Sequence, residues 1–369
     1  MEKILVTGAT GFLGGAVVAN LIRAGKAPAL LLLVRAETQT AGLRRVLEQL
    51  LRLEVPVEQT GMLGKRQILI GDLSDVAAFS DDPRLDEVTH VINCAAIASF
   101  SKHPSIWPVN VDGTFAFAQR MARVRGLRRF LHVGTAMACG TRIDSPVRES
   151  WDEAANDAHL VPYTASKARI EQKIRGELPE LPFVVARPSI VVGHRELGCK
   201  PSGSIFWVFR MGHMLERFTC ELDEKIDVIP VDYCAEALVA LALKERLAHD
   251  LYHVSAGAQA SCSFGEIDAA VAQGLGAQPV AGRYRKVTND GLAQLAEAFQ
   301  QRIGPCNKRL VLRALRLYAG FAELNYVFDN SRLQAEGIPL PPPFSGYAGL
   351  CAQTSKHTPV QEQMHWDFK

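Results

Sequence analysis

Six short apolar runs punctuate the first half of the chain: KILVT, ALLLLV, RQILIG, THVINCA, RRFLHVG and PFVVARP, all between residue 3 and about residue 195. Each is nearly continuous rather than alternating, which predicts strands buried on both faces, the habit of a parallel sheet. The segments between them shift to helical period. Between Val111 and Arg125, for example, Val111, Thr114, Phe115, Ala118, Met121 and Ala122 share one face. Strand and helix in alternation predict a doubly wound α/β fold, a Rossmann-type parallel sheet with helices on both faces. Beyond residue 195 the regularity weakens, although KIDVIPVDYCAEALVALALKE reads as a strand leading into a helix capped near Asp232. The expected division is a dinucleotide-binding unit of residues 1–195 plus about 224–256, and a smaller substrate lobe of about 196–223 plus 257–369. The tail, with IPLPPP at 338–343 and a polar stretch after 352, has little periodicity and is expected to be loosely ordered.

Composition narrows the function. A chain of 369 residues, 48% hydrophobic, can bury a sizeable core. Its 41 basic and 39 acidic residues nearly cancel, which argues against a surface built to grip nucleic acid and makes any anion binding local. The eight cysteines form no CxxC pair, so neither a metal site nor a disulfide framework is expected. There is no leader pattern, and ALLLLV is too short to cross a bilayer. These features predict a cytoplasmic protein without stable membrane insertion.

The stretch GATGFLGG places Gly8, Gly11 and Gly14 between the first strand and a helix on which Phe12, Ala16, Val17 and Leu21 recur at helical spacing. Glycines there suit a tight turn, close approach of a pyrophosphate, and close helix–strand packing. The second strand ends in Arg35 rather than an acid, and a guanidinium prefers the extra phosphate of NADP to the bare ribose of NAD. Arg44 and Arg45 follow on the next helix. Asp72, after the third strand, is placed to accept from an adenine amino group or to cap the next turn. Further on, YTASK sets Tyr163 and Lys167 one helical turn apart. An ammonium beside the phenol would favour its ionisation and tune it as an acid. Thr135 ends the strand FLHVGT, where it could donate to a carbonyl oxygen gaining charge.

As a set, these residues resemble the extended short-chain dehydrogenase/reductase family, which joins TGATGFLG to a later YxxxK. The likeness covers approximately residues 3–245. Its Ser or Thr five residues before a glycine is matched by Thr135 and Gly140, and its NVxGT by NVDGT. The resemblance implies that Thr135, Tyr163, Lys167 and Asn110 carry the chemistry, with Asn110 ordering a water and Lys167 also holding the nicotinamide ribose. It further implies a cofactor site of Thr7, Gly8, Thr10, Gly11, Phe12, Leu13, Gly14, Arg35, Arg45, Asp72, Leu73, Ala95, Ala96 and Pro188 with Tyr163 and Lys167. NCAA, Asn93 to Ala96, resembles the segment beside that ribose.

Within the family, the arginine-ending second strand with its long following helix, KRQILIGDLS, ARPSIVVG and IPVDYCAEALVALAL are similar to the fatty acyl-CoA reductases and carrier-protein thioester reductases. That likeness implies NADPH-dependent reduction of an acyl thioester to an aldehyde, possibly onward to an alcohol. The donor would be acyl-CoA or an acyl carrier protein, and a homodimer is left open. The alternative is a relative acting on a ketone, an alcohol or a nucleotide sugar. The C-terminal lobe does not match the fatty acyl-CoA reductase tail. The pocket wall is expected in 197–222 and 303–330, with Phe206, Trp207, Phe209, Met211 and Met214 offering apolar surface. Arg309, Arg313 and Arg316 share a helical face, which suits either solvent or an acidic carrier. His132 and His194 are assigned no role.

Overall fold

All six apolar runs become parallel strands of one sheet, in a computed structural model that describes residues 2–141, 144–152 and 158–367. They are β1 (Ile4–Thr7), β2 (Leu30–Val34), β3 (Ile68–Ile70), β4 (His90–Asn93), β5 (Arg129–Val133) and β6 (Phe183–Pro188). A seventh strand, β7 (Leu251–Val254), pairs with β6 and completes the sheet from the second half of the chain. The spatial order is β7-β6-β5-β4-β1-β2-β3, so the winding reverses between β1 and β4. In an open α/β sheet, ligands sit at that switch point, beyond the carboxyl ends of the strands.

The continuous apolar strands are explained by what covers them. Ile4 and Val6 of β1 and Leu32 and Val34 of β2 face one layer, formed by α1 (Phe12–Arg23) and α6 (Val231–Leu243). Leu5, Leu31 and Leu33 face the other layer, formed by α3 (Thr114–Ala122) and α4 (Pro162–Glu177). Each Leu or Ile removed from water in this way contributes about 1.5–3 kcal/mol. Helix α2 (Gln39–Arg52) joins α1 in the first of these layers, with Val46 and Leu50 in the same core. The short strand Val228–Ile229 leads into α6, as the sequence suggests, with Pro230 rather than Asp232 as the cap.

Two local expectations fail. The helical face projected from Val111 is interrupted, because Pro108–Gly113 forms a wide π-type turn before α3 begins at Thr114. The change of pitch shifts the phase, leaving Ala122 exposed while Met121 is fully buried. The tail is also ordered. Ser345–Ser355 forms α9, which packs against α7 (Phe264–Leu275) and buries Tyr347, Ala348, Cys351 and Ala352. Small residues make this possible, and their low hydrophobic contrast is why periodicity did not reveal it. With α5 (Phe206–Leu215) and α8 (Lys308–Ala322), these helices build cores separate from the two that flank the sheet. No helix among the described residues is long and apolar enough to cross a membrane. All eight cysteines are free thiols.

Candidate active site

The first glycine turn lies over the β1–β4 crevice. Gly8 has φ +71°, a left-handed conformation open to glycine, and a Cβ there would stand 2.9 Å from the Ala95 amide nitrogen. Gly14 is tighter still, since its Cβ would lie 2.2 Å from the Gly8 carbonyl oxygen. That contact is backbone against backbone and has no rotamer through which to relax. Gly11 caps α1 without a side-chain hydrogen bond, and no acid occupies the first helical turn. The first amides of α1 are therefore left for an anion, as a dinucleotide pyrophosphate requires. The turn thus fits the phosphates of a nicotinamide dinucleotide.

Below it, a buried polar chain ties three strand ends together. Thr7 Oγ1 donates to Asn93 Oδ1 (2.6 Å) and accepts from the Ala95 amide (3.0 Å). Asn93 Nδ2 reaches His132 Nδ1 (3.1 Å). Burial and the nearby Lys167 charge hold the His132 imidazole neutral, far below its ordinary pKa. His132 and Asn93 therefore work as braces for the crevice floor. Near the far rim, Arg35 is 65% exposed at its side chain and lies 3.7 Å from Asp72. Arg45 donates to the Arg35 carbonyl, whereas Arg44 faces Glu48 (3.8 Å) on the helix surface. Asp72 Oδ1 accepts from the Ser74 amide (2.9 Å), so this carboxylate caps its own turn and balances Arg35, while keeping acceptor capacity for a further donor.

The reacting end forms where α4 packs on the turn after β5. Thr135 caps that turn, with Oγ1 accepting from the Met137 amide (3.3 Å), which leaves its hydroxyl proton to donate elsewhere. Lys167 is buried and its Nζ donates to the Val133 carbonyl (2.7 Å). Burial brings this amine down to about 8. The Tyr163 hydroxyl makes no hydrogen bond among the described residues. Burial, with the negative charge of Glu171, pushes this phenol up to about 12. In this structure the ammonium is engaged with Val133, and burial rather than Lys167 sets the direction of the Tyr163 shift. Asn110 is buried, accepting from the Ile97 amide (2.8 Å) and donating to the Ile97 carbonyl and to Ser166 Oγ (3.1 Å each). Both amide protons are spent on the protein, which leaves a single Oδ1 lone pair for a water.

Two residues of this region escaped the sequence reading. Glu171, one turn beyond Lys167, accepts from Arg187 Nη2 (2.7 Å) and Nε (3.0 Å), and both side chains are fully buried. The pair locks α4 to β6 just before Pro188. Its only sequence signal was the four-residue step from Lys167.

The expected pocket wall is only partly right. Phe206, Trp207 and Met211 are fully buried core, and Met214 packs beside them. Only Phe209 of the five lines the cavity of about 70 Å³ enclosed by α5, α7 and α8. Helical phase, invisible without knowing which face the sheet takes, separates them. From α8, Tyr318 and Phe321 line the cavity. Phe100 stacks on both (5.3 and 5.1 Å between ring centres) and on Tyr163 (6.1 Å), so an aromatic bridge joins the phenol to the cavity. Arg309, Arg313 and Arg316 border an open surface groove on α8. No cluster of potential metal ligands occurs among the described residues.

The fold, the glycine turn and the Tyr–Lys helix define a nicotinamide-dinucleotide-binding protein of the short-chain dehydrogenase/reductase type. A family model described as Male sterility protein matches residues 6–238, and the chain belongs to that family. It is thereby one of the extended short-chain dehydrogenase/reductases, a class of nicotinamide-dependent oxidoreductases, on the thioester reductase and fatty acyl-CoA reductase branch. The fatty acyl-CoA reductase wat of Drosophila melanogaster is 25% identical over 281 residues, covering 65% of this chain and 54% of that protein. Among solved structures, the terminal R domain from the myxalamid PKS-NRPS biosynthetic pathway is similar at a TM-score of 0.75 and 22% identity, covering 97% of this chain and 91% of that one. A thiolation-reductase di-domain from an archaeal non-ribosomal peptide synthetase gives 0.70 and 18%, with coverages of 96% and 75%. The chain spans about a quarter to a half of the length of the first curated relatives it matches.

Proposed function

We propose that this protein reduces an acyl thioester to an aldehyde with NADPH. The observation that carries the reading is the pair of unspent hydroxyl protons, on Tyr163 and Thr135, beside a glycine turn suited to a dinucleotide and at one end of an apolar route. Gly8, Gly11 and Gly14 with the first amides of α1 would hold the pyrophosphate, and Arg35 with Arg45 the adenosine phosphate. Ala95, Ala96 and Pro188 would flank the nicotinamide, which supplies hydride to the thioester carbonyl carbon. Tyr163, fully protonated at neutral pH, and Thr135 donate to the oxygen that gains charge as the carbonyl becomes tetrahedral. Lys167 contributes a positive charge on the strand end that carries Thr135. Collapse of the tetrahedral adduct reforms the carbonyl as the C–S bond breaks, expelling a thiolate that takes a proton from solvent and leaving the aldehyde. A second turnover on the same site would yield the alcohol.

The donor is an acyl group on a phosphopantetheine thiol, of coenzyme A or of a carrier protein. The likeness to the R domain and to the thiolation-reductase di-domain supports the carrier route. The exposed arginine face of α8 suits an acidic carrier or the pantetheine phosphate. The test is incubation of the purified protein with NADPH and a panel of acyl-CoA, acyl-carrier, ketone and nucleotide-sugar substrates, with products identified by mass spectrometry. Aldehyde with release of free thiol is expected. NADPH oxidation with ketones alone would overturn the proposal.

A further inference from the structure

The cavity beyond Phe100 is mostly apolar. Ile190, Phe209, Val271 and Phe321 supply hydrocarbon wall, whereas His213 of α5 and Asp268 of α7 form a polar pair in the same lining. His213 Nδ1 is 2.7 Å from Asp268 Oδ1, and both side chains are about nine-tenths buried (11% exposed each). The carboxylate can only accept, so Nδ1 carries the proton. Asp268 Oδ2 accepts from the Val280 amide (2.8 Å), which satisfies the acid on both oxygens. Tyr284, also on the wall, spends its hydroxyl on the Cys220 carbonyl (2.6 Å). The second imidazole nitrogen of His213 makes no hydrogen bond among the described residues.

A polar group held in an apolar wall is costly unless something pairs with it. A plain alkyl chain in this cavity would bring the His213–Asp268 pair no polar partner. With Nδ1–H committed to Asp268, Nε2 is the nitrogen left for a ligand. A hydroxyl can pair with it as donor or acceptor without adding charge. The cavity is about half the size of an apolar cavity of about 150 Å³ that takes benzene, which leaves room for only the end of a chain.

Resting on the thioester reading, we infer that the preferred acyl group carries a hydroxyl at its far end, read by His213 Nε2 while Asp268 fixes the ring's tautomer. The apolar remainder of the chain runs past Phe100 and Phe321 towards Tyr163. His213 is a specificity-determining residue and Asp268 a positioning residue behind it.

The inference is tested by calorimetric binding of inert acyl-pantetheine amides to the full chain, comparing methyl-terminated with ω-hydroxy chains of matched length, from about four to twelve carbons. At the length that fits, the hydroxylated probe is expected to bind roughly 10- to 100-fold tighter. His213→Phe should bring that ratio to about one. Asp268→Asn, which keeps the shape, should reduce it and serves as the second variant if His213→Phe does not fold. Equal binding by the wild type, or a preference that survives both substitutions, would overturn the inference and identify the pair as a strut between α5 and α7. The corresponding thioesters with NADPH test the parent reading separately. A binding preference without thioester reduction sinks the reductase proposal and leaves the hydroxyl site standing, whereas reduction without preference does the reverse.

Discussion

The glycine crevice and the apolar cavity are built on opposite principles. In the crevice the decisive contacts belong to the backbone: the Gly14 position against the Gly8 carbonyl, the Gly8 position against Ala95, and the open amides of α1. In the cavity they belong to side chains drawn from Phe100, α5, α7 and α8, which are distant in sequence. A backbone site tolerates almost no change but recognises only a generic phosphate. A side-chain site can be rebuilt residue by residue and can discriminate among ligands.

The contrast can be attacked from the chemistry that lies between the two sites. Replacing Tyr163 by Phe should lower kcat by roughly 10²- to 10⁴-fold while leaving NADPH affinity nearly unchanged, since its hydroxyl has no structural partner to lose. Turnover close to wild type would show that the acid is elsewhere. Next in size, Gly14→Ala should destabilise the fold by about 1–3 kcal/mol in urea unfolding and abolish measurable nucleotide binding, because neither backbone atom can move aside. Phe209→Ala in the cavity wall, of greater volume change, should leave nucleotide binding intact, and a loss there would break the comparison.

At the rim, Arg35→Ser should weaken NADPH about tenfold or somewhat more, with little change for NADH, read as the ratio of their KM values. Equal losses for both would assign the guanidinium to its Asp72 pair alone. The effect of pH is smallest near neutrality and grows above it. Lys167 is charged below about 8 and loses its proton as the pH rises through that value, while Tyr163 keeps its own up to about 12. On the proposed mechanism kcat/KM should therefore halve near pH 8 and fall by up to tenfold per further unit, as a pH–rate profile would record. A profile flat to pH 10 would remove the ammonium from the mechanism.

Much of the crevice was legible before any coordinates. Six of seven strands, the glycine turn and the Tyr163–Lys167 step are local patterns, and local patterns survive in a linear string. The electrostatic relation between Tyr163 and Lys167 was not legible, because the carbonyl that engages the amine is supplied by Val133, 34 residues away. Asp72 was ambiguous for a similar reason: beside its local bond to Ser74, its partner Arg35 is revealed only when β2 and β3 lie side by side. The cavity was least legible. Phe209 and Trp207 look equivalent in sequence, yet one lines the cavity and the other is wholly buried core.

The amino-acid order alone determined a parallel sheet with a dinucleotide turn, since strand burial and glycine geometry are properties of short segments and need no distant partner. Tertiary structure alone decided which aromatics line the cavity, whether α9 exists as an ordered helix, and that His213 meets Asp268. Each of these depends on how helices separated by tens of residues are rotated against one another. That rotation is set by packing over whole faces, which no short window of sequence contains.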